Sequence, residues 1–212
     1  HGIDATRPLI AVNVNAYVDR WLGRREKVSD PQRFKRALAA ALDDLPSKCG
    51  ASVVLIGTQV MDAPYMREVV ALCREPESMA VISNVDYAPE ELMAVMGHAS
   101  AFVGMRLHSI ILASAMNVPC VALAYAPKVR QHMALLGLER YCLELKDLSA
   151  DALVGAVGEV LTGGHALVER FSKRVDEVKE LASQGYDVLV ENWVRGQTES
   201  RRTSESQTES PS

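Results

Sequence analysis

Residues 98–138 read HASAFVGMRLHSIILASAMNVPCVALAYAPKVRQHMALLGL. Two rounds of one pattern follow each other in this stretch. Ala101–Gly104 reads as a short strand, and Arg106–Asn117 is nearly all apolar, as a buried helix would be. Pro119–Ala124 is the next strand, and Lys128–Leu136 the next helix, opened by Pro127. The same alternation extends in both directions. Upstream, Pro8–Asn15, Ser52–Gly57 and Met79–Ser83 read as strands. Between them, Ser29-Asp30-Pro31 marks a helix start, followed at helical spacing by Phe34, Leu38, Ala41, Leu42 and Leu45. Ala63–Arg74 and Pro89–His98 are helices, the second with Leu92, Val95 and Met96 inward. Downstream, Tyr141–Leu145 reads as a short sixth strand, and Ser149–Leu161 and His165–Trp193 as helices.

Strands alternating with helices of about a dozen residues imply right-handed βαβ units on a parallel sheet. The expected fold class is therefore α/β, a Rossmann-like parallel sheet flanked by helices. The last helix carries Leu167, Phe171, Val175, Val178, Ala182, Tyr186 and Leu189 as an apolar stripe, expected to pack across the domain. The domain is expected to occupy residues 1–195. Residues 196–212 (GQTESRRTSESQTESPS) hold no large apolar side chain and read as a disordered tail.

The whole chain has 212 residues, with 23 Lys and Arg against 27 Asp and Glu, a net charge of −4. A sequence-independent nucleic-acid binder would need a basic excess, so that class is excluded. Aromatic residues are only 5%, too few for base-stacking platforms. No apolar run approaches the roughly 18 residues of a membrane span. Cys49, Cys73, Cys120 and Cys142 form no C-x-x-C pair, so neither a zinc site nor a disulfide framework is expected. The chain opens on polar His-Gly-Ile-Asp, without Met or a secretory signal, and reads as a cut or processed part of a longer protein.

Ligands of open α/β sheets bind beyond the carboxyl ends of the strands, which directs attention to the residues after each strand. These are Asn13, Asn15, Asp19 and Arg20; Gly57, Thr58 and Gln59; Asn84 and Asp86; Gly104 to His108; and Tyr125 to Lys128. The last two groups are the most informative. Gly104 is expected to allow a sharp turn and the close approach of a ligand. Arg106 and His108 then open a helix whose unpaired N–H groups favour an anion. Arg offers a planar fork matching phosphate or carboxylate, and His donates a hydrogen bond or a proton near neutral pH. Lys128 adds a cation at the neighbouring strand end. The expectation is a small-anion site. His98 reads as a helix-end residue, His132 is ambiguous, and His165 lies in a Gly-Gly-His loop. Ser109 and Ser114 fall inside the buried helix and are not nucleophile candidates. There is no G-x-x-x-x-G-K-[ST], no G-x-G-x-x-G after the first strand, and no G-x-S-x-G.

Taken together, residues 98–138 resemble the polysaccharide pyruvyltransferase family. The shared features are Gly104 ending a strand, Arg106-Leu107-His108 opening an apolar helix, and the small residues Ala113 and Ala115. Val118-Pro119 and the Tyr125-x-x-Lys128 pair complete the pattern. Residues 8–97 follow the family's order of elements more loosely. The resemblance implies one half of a GT-B-like molecule, the C-terminal half, with the acceptor-binding half upstream of residue 1. It also implies transfer of a pyruvyl group from phosphoenolpyruvate onto two hydroxyls of a sugar, giving a pyruvate ketal. Arg106 would bind the donor's phosphate or carboxylate. His108 would bind it too or protonate the methylene carbon as general acid, and Lys128 would help neutralise the donor. Gly104, Leu107, Tyr125, Asn15 and Thr58 would complete the substrate site. No cofactor and no metal are implied, since phosphoenolpyruvate is itself a substrate. The acceptor would be a saccharide, free or lipid-linked, and the location cytoplasmic, free or peripheral at the inner membrane face. The sequence departs from the family where a basic residue commonly ends the first strand: Asn15 stands there, with Arg20, Arg24 and Arg25 the nearest cations. A His is also common after the second strand, where Gly57-Thr58-Gln59 stands.

Two other readings compete. One is the half of a GT-B-like sugar-nucleotide glycosyltransferase or epimerase, which would need a carboxylate near the end of a late strand, Glu144 or Asp147. The other is a non-catalytic anion-binding module.

Overall fold

The computed structural model describes residues 3–4, 6–16 and 31–208. Ser29, Asp30, Asp19, Arg20, Arg24 and Arg25 lie outside the described residues, and so do the last four positions of the tail. The chain forms two compact units, His1–Arg174 and Val175–Ser212.

The first unit is built on six parallel strands: β1 (Leu9–Asn13), β2 (Ser52–Gly57), β3 (Ala80–Ser83), β4 (Ala101–Gly104), β5 (Cys120–Ala124) and β6 (Cys142–Glu144). Their order across the sheet is β3-β2-β1-β4-β5-β6. The expected strands are all present, with ends trimmed by no more than two residues. The helices are α1 (Pro31–Cys49), α2 (Asp62–Val70), α3 (Pro89–Gly97), α4 (Leu107–Ala115), α5 (Pro127–Leu135) and α6 (Ala150–Thr162). A long α7 (Gly164–Thr208) begins in the first unit and continues through the second.

The inner strands are apolar over most of their length because helices cover both faces of the sheet. Ile10, Ala11 and Val12 of β1, and Val121, Ala122 and Leu123 of β5, have no exposed surface. On one face α1 packs against α2 and α6; on the other α4 packs against α3 and α5. Leu38, Leu42 and Leu45 of α1 are completely buried, which is the stripe that the spacing predicts. Helices α4 and α5 both end on a residue in the left-handed region, Asn117 (φ 61°) and Gly137 (φ 69°), where Asn and Gly bear the conformation at least cost.

Strand order decides where a ligand can sit. From β1 the chain moves outward to β2 and β3; from β4 it moves the opposite way to β5 and β6. Adjacent β1 and β4 thus form the switch point, and the crevice above their carboxyl ends is the natural binding place of such a sheet. Asn13 and Gly104, the last residues of the two strands, are paired in register there.

The apolar stripe of α7 divides. Leu167 and Phe171 of the first unit are buried, as the stripe predicts, and Tyr186 and Leu189 of the second unit are exposed. The helix continues to Thr208, through the first part of the segment whose composition predicts disorder. Its Gln, Glu and Arg residues tolerate helix well, but they give it no apolar face to bury.

Candidate active site

Asn13 ends β1 with a side chain that has no exposed surface. Its Nδ2 donates to the Ile56 carbonyl of β2 at 2.8 Å. Its Oδ1 accepts the Arg106 N–H at 3.4 Å, and its backbone carbonyl accepts the Met105 N–H at 2.9 Å. One amide therefore ties together the ends of three strands. Asn15, two residues on, is buried as well.

The sharpest feature lies between the β2 end and the start of α4. Asp62, the first residue of α2, is completely buried. Its Oδ2 accepts the N–H groups of Thr58 at 3.2 Å and Gln59 at 3.0 Å. Arg106 Nε donates to both oxygens at 2.9 Å, and Nη2 donates to Oδ1 at 2.6 Å. The buried carboxylate is thus met by charge-assisted bonds and a helix N-terminus, which together offset its desolvation. The Arg106 side chain is 23% exposed.

This refines the expectation for Arg106. The guanidinium is at the predicted strand end, but one edge of its fork is already engaged and its charge is matched by Asp62. Two Nη1 hydrogens and one Nη2 hydrogen have no partner among the described residues, so a second oxyanion could still be held at that end of the fork. The residue that the sequence reading missed is Asp62. An acid at the start of the helix after β2 reads as an ordinary dipole partner, and no local pattern shows that it meets an Arg 44 residues later.

Thr58 is equally engaged. Its hydroxyl lies 3.1 Å from the Ser109 hydroxyl, joining the β2 loop to the first turn of α4. Ser109 is fully buried. Gly104 also has a different physical reason from the one expected. Its φ is not positive, and a Cβ there would fall 2.4 Å from Ile110 Cγ1 and 2.8 Å from Phe102 Cε1. Close packing of β4 against α4, rather than a sharp turn, demands glycine at this position.

Helix α4 begins at Leu107, half-buried, after an extended Arg106, and no side chain caps it. His108 occupies its second position and is exposed, with no partner among the described residues. Helix α5 likewise opens uncapped, at Pro127, with Lys128 exposed at its second position. The Lys128 ammonium stands 5.9 Å from the ring centroid of half-buried Tyr125, a cation–π distance. Because β4 and β5 are neighbours, two uncapped helix N-termini open side by side on the carboxyl edge of the sheet. That edge suits a compact polyanion.

The remaining candidates fall elsewhere. Glu144, the carboxylate that a uridine site would use, accepts Arg130 Nη1 with both oxygens at 2.6 and 2.8 Å. His98 ends α3 and is exposed. His165 is exposed beside Glu169. His132 is half-buried within α5, and burial lowers its pKa. Among the described residues no three His, Cys, Asp or Glu side chains gather as metal ligands, and no helix is long and apolar enough to cross a membrane.

The family model for polysaccharide pyruvyl transferase matches residues 15–127, more than half of the chain. The chain belongs to that family. The match takes in the Thr58–Asp62 loop and the Arg106-Leu107-His108 helix start, and ends at the first residue of α5. No curated protein matches the sequence. Among solved structures, the polysaccharide pyruvyl transferase chain is similar to an O-GlcNAc transferase of Thermobaculum terrenum. The TM-score is 0.55 and the identity 17%, over 91% of this chain and 36% of the other. It is also similar to the UDP-GlcNAc 2-epimerase of Methanocaldococcus jannaschii, with TM-score 0.53 and 15% identity over 86% and 46%. A third is a UDP-N-acetylglucosamine 2-epimerase from Listeria monocytogenes, with TM-score 0.51 and 15% identity over 80% and 39%. At such identities the likeness is one of fold, that of GT-B-like glycosyltransferases and epimerases. The chain spans less than half the length of each of these structures.

Proposed function

We propose that this chain supplies the donor half of an enzyme that transfers a pyruvyl group from phosphoenolpyruvate to two hydroxyls of a saccharide. The observation that carries the reading is Arg106. It is fixed at the β1–β4 switch point, keeps one end of its fork open, and leads directly into the uncapped start of α4 with His108 exposed.

In this reading the open end of Arg106 and the N–H groups of α4 hold the donor's phosphate or carboxylate, and Lys128 neutralises a second anionic group. His108 delivers a proton to the methylene carbon. As that C–H bond forms, C2 becomes electrophilic, and a sugar hydroxyl adds to it. The C2–O bond to phosphate then breaks. Phosphate leaves with the bonding pair, and the second hydroxyl closes the ketal. Of the two hydroxyl protons, one balances the proton gained by the methyl group and the other leaves with phosphate. Developing charge on the departing phosphate is where the cationic groups lower the barrier. The acceptor would be presented by another part of the protein, in keeping with the fraction of GT-B-like structures that this chain spans. No metal or cofactor takes part.

Calorimetric titration of phosphoenolpyruvate into the wild-type chain and into Arg106→Ala, at neutral pH and low salt, tests the reading. Binding by the wild type that disappears in the variant is the expected result. Thermal stabilisation by UDP-sugars in place of phosphoenolpyruvate would overturn it in favour of a sugar-nucleotide site.

A further inference from the structure

We propose that Asp62 is the positioning residue of the donor site: it locks Arg106 by its Nε–Nη2 edge so that the Nη1–Nη2 end meets the ligand already oriented. The proposal rests on the donor-site reading above.

Geometry separates this role from simple support of the fold. Asp62 has no exposed surface and accepts from three separate groups: the Thr58 N–H, the Gln59 N–H and the Arg106 guanidinium. An apolar residue of similar volume would generally serve stability as well as a buried ion pair does. What the apolar residue cannot do is fix the plane and rotation of a guanidinium. Fixing them matters at this position, because Arg106 sits at the switch point and its remaining donors lie at the partly exposed end of the fork. The same carboxylate holds the Thr58–Gln59 loop, and Thr58 in turn bonds to Ser109 in the first turn of α4. Arginine, loop and helix start are therefore set by one group.

There is an electrostatic consequence. Asp62 cancels the formal charge of Arg106, so long-range attraction at this point is weak while the directional hydrogen bonds are kept. Anions that accept two parallel N–H bonds, phosphate or carboxylate, are favoured over spherical ones. The net positive charge of the site then falls to Lys128, with His108 when protonated.

The test uses the full chain and two readouts. The first is phosphoenolpyruvate affinity in a cycle of wild type, Asp62→Asn, Arg106→Lys and the double variant, each measured below its unfolding transition. Asp62→Asn is expected to weaken binding about tenfold when Arg106 is present, and by less than about twofold when Lys, which has no fork to orient, replaces it. Equal losses in both backgrounds, or no loss in folded Asp62→Asn, would overturn the proposal. The second readout is solvent exchange of the Arg106 Nε–H by nitrogen-edited NMR, expected slow in the wild type and fast in Asp62→Asn. Fast exchange in the wild type would also overturn it. This second readout decides the matter if Arg106→Lys by itself erases binding. If the wild type binds no phosphoenolpyruvate, the donor reading fails, and the exchange rate still reports whether Asp62 fixes Arg106. Should Asp62→Asn not fold, Asp62→Glu keeps the charge while displacing the oxygens, and the same loss of affinity is expected.

Discussion

At the carboxyl edge of the sheet Arg106 meets Asp62, whose side chain is 0% exposed; at the amino edge Arg74 meets Asp43 and Asp44 with its own side chain 71% exposed. The residue types are the same and the distances similar. The amino edge even has an open cavity of about 360 Å³, lined by Asp4, Arg7, Asp43, Arg74 and Glu75 among others. Yet its charges pair with one another along the surface, and parallel sheets do not bind their ligands at that edge. At the carboxyl edge the pair is sunk beneath the loop after β2, and it orders everything around it. Burial, rather than the presence of an ion pair, distinguishes a group that sets geometry from one that decorates a surface. The volume of a depression is a poor guide to which is which.

The largest effect expected from this contrast comes from Asp62→Ala. It leaves the Arg106 guanidinium and the Thr58 and Gln59 N–H groups without their acceptor, and it should cost about 3–5 kcal/mol in urea unfolding. A loss below about 1 kcal/mol would mean that water replaces the carboxylate freely, and the contrast between the edges would collapse. Gly104→Ala comes next. The added methyl would overlap Ile110 and Phe102, and the overpacking should cost about 1–3 kcal/mol. Replacing Ile110 by Val as well should recover part of that loss if the clash is its source.

The sheet was legible in the sequence because its strands are buried on both faces and so read as unbroken apolar runs, from Ile10 to Val12 and from Val121 to Ala124. The candidate edge was legible for the same reason: once the strands are placed, their carboxyl ends follow. Partnerships across the edge were not. Asp62 looks like any helix-start acid, and Gly104 like any turn glycine. Only the pairing of β1 with β4 and the fall of α4 onto β4 disclose that one fixes Arg106 and the other makes room for Ile110.

A smaller effect separates the edges by what each one buries. Near the amino edge, the buried titrating group is a neutral thiol. Burial, reinforced by the charge of Asp43, pushes Cys73 from the ordinary 9.0 up to about 11. Its sulfur lies 3.7 Å from the carbonyls of Ala39 and Val69, in surroundings that do not accommodate a thiolate. The unfolded chain gives up this proton from about pH 9, whereas the folded chain keeps it until about 11. The thiol's contribution to stability is therefore whole below pH 9 and is lost as the pH rises to 11. Urea midpoints of the wild type should fall across that window more steeply than those of Cys73→Ala, and parallel slopes would place the thiol in contact with water.

The smallest effect is expected at Arg74→Ala, and its smallness is what gives the comparison force. The variant deletes an arginine paired with Asp43 and Asp44, as Arg106→Ala would delete the partner of Asp62, but both acids keep other donors when the cation is gone. Asp44 keeps Lys48 at 3.0 Å, and hydrogen bonding to that ammonium is the largest influence holding its carboxyl below the usual range. Asp43 retains the Arg74 backbone N–H at 2.9 Å, a bond that truncation of the side chain does not touch. Each acid thus has a substitute already in place, and urea midpoints measured at low and at high salt should coincide with those of the wild type. A clear loss that vanished in high salt would show that the exposed network carries stability after all. The two edges would then differ in degree, and burial would no longer be the property that singles out the Asp62–Arg106 pair.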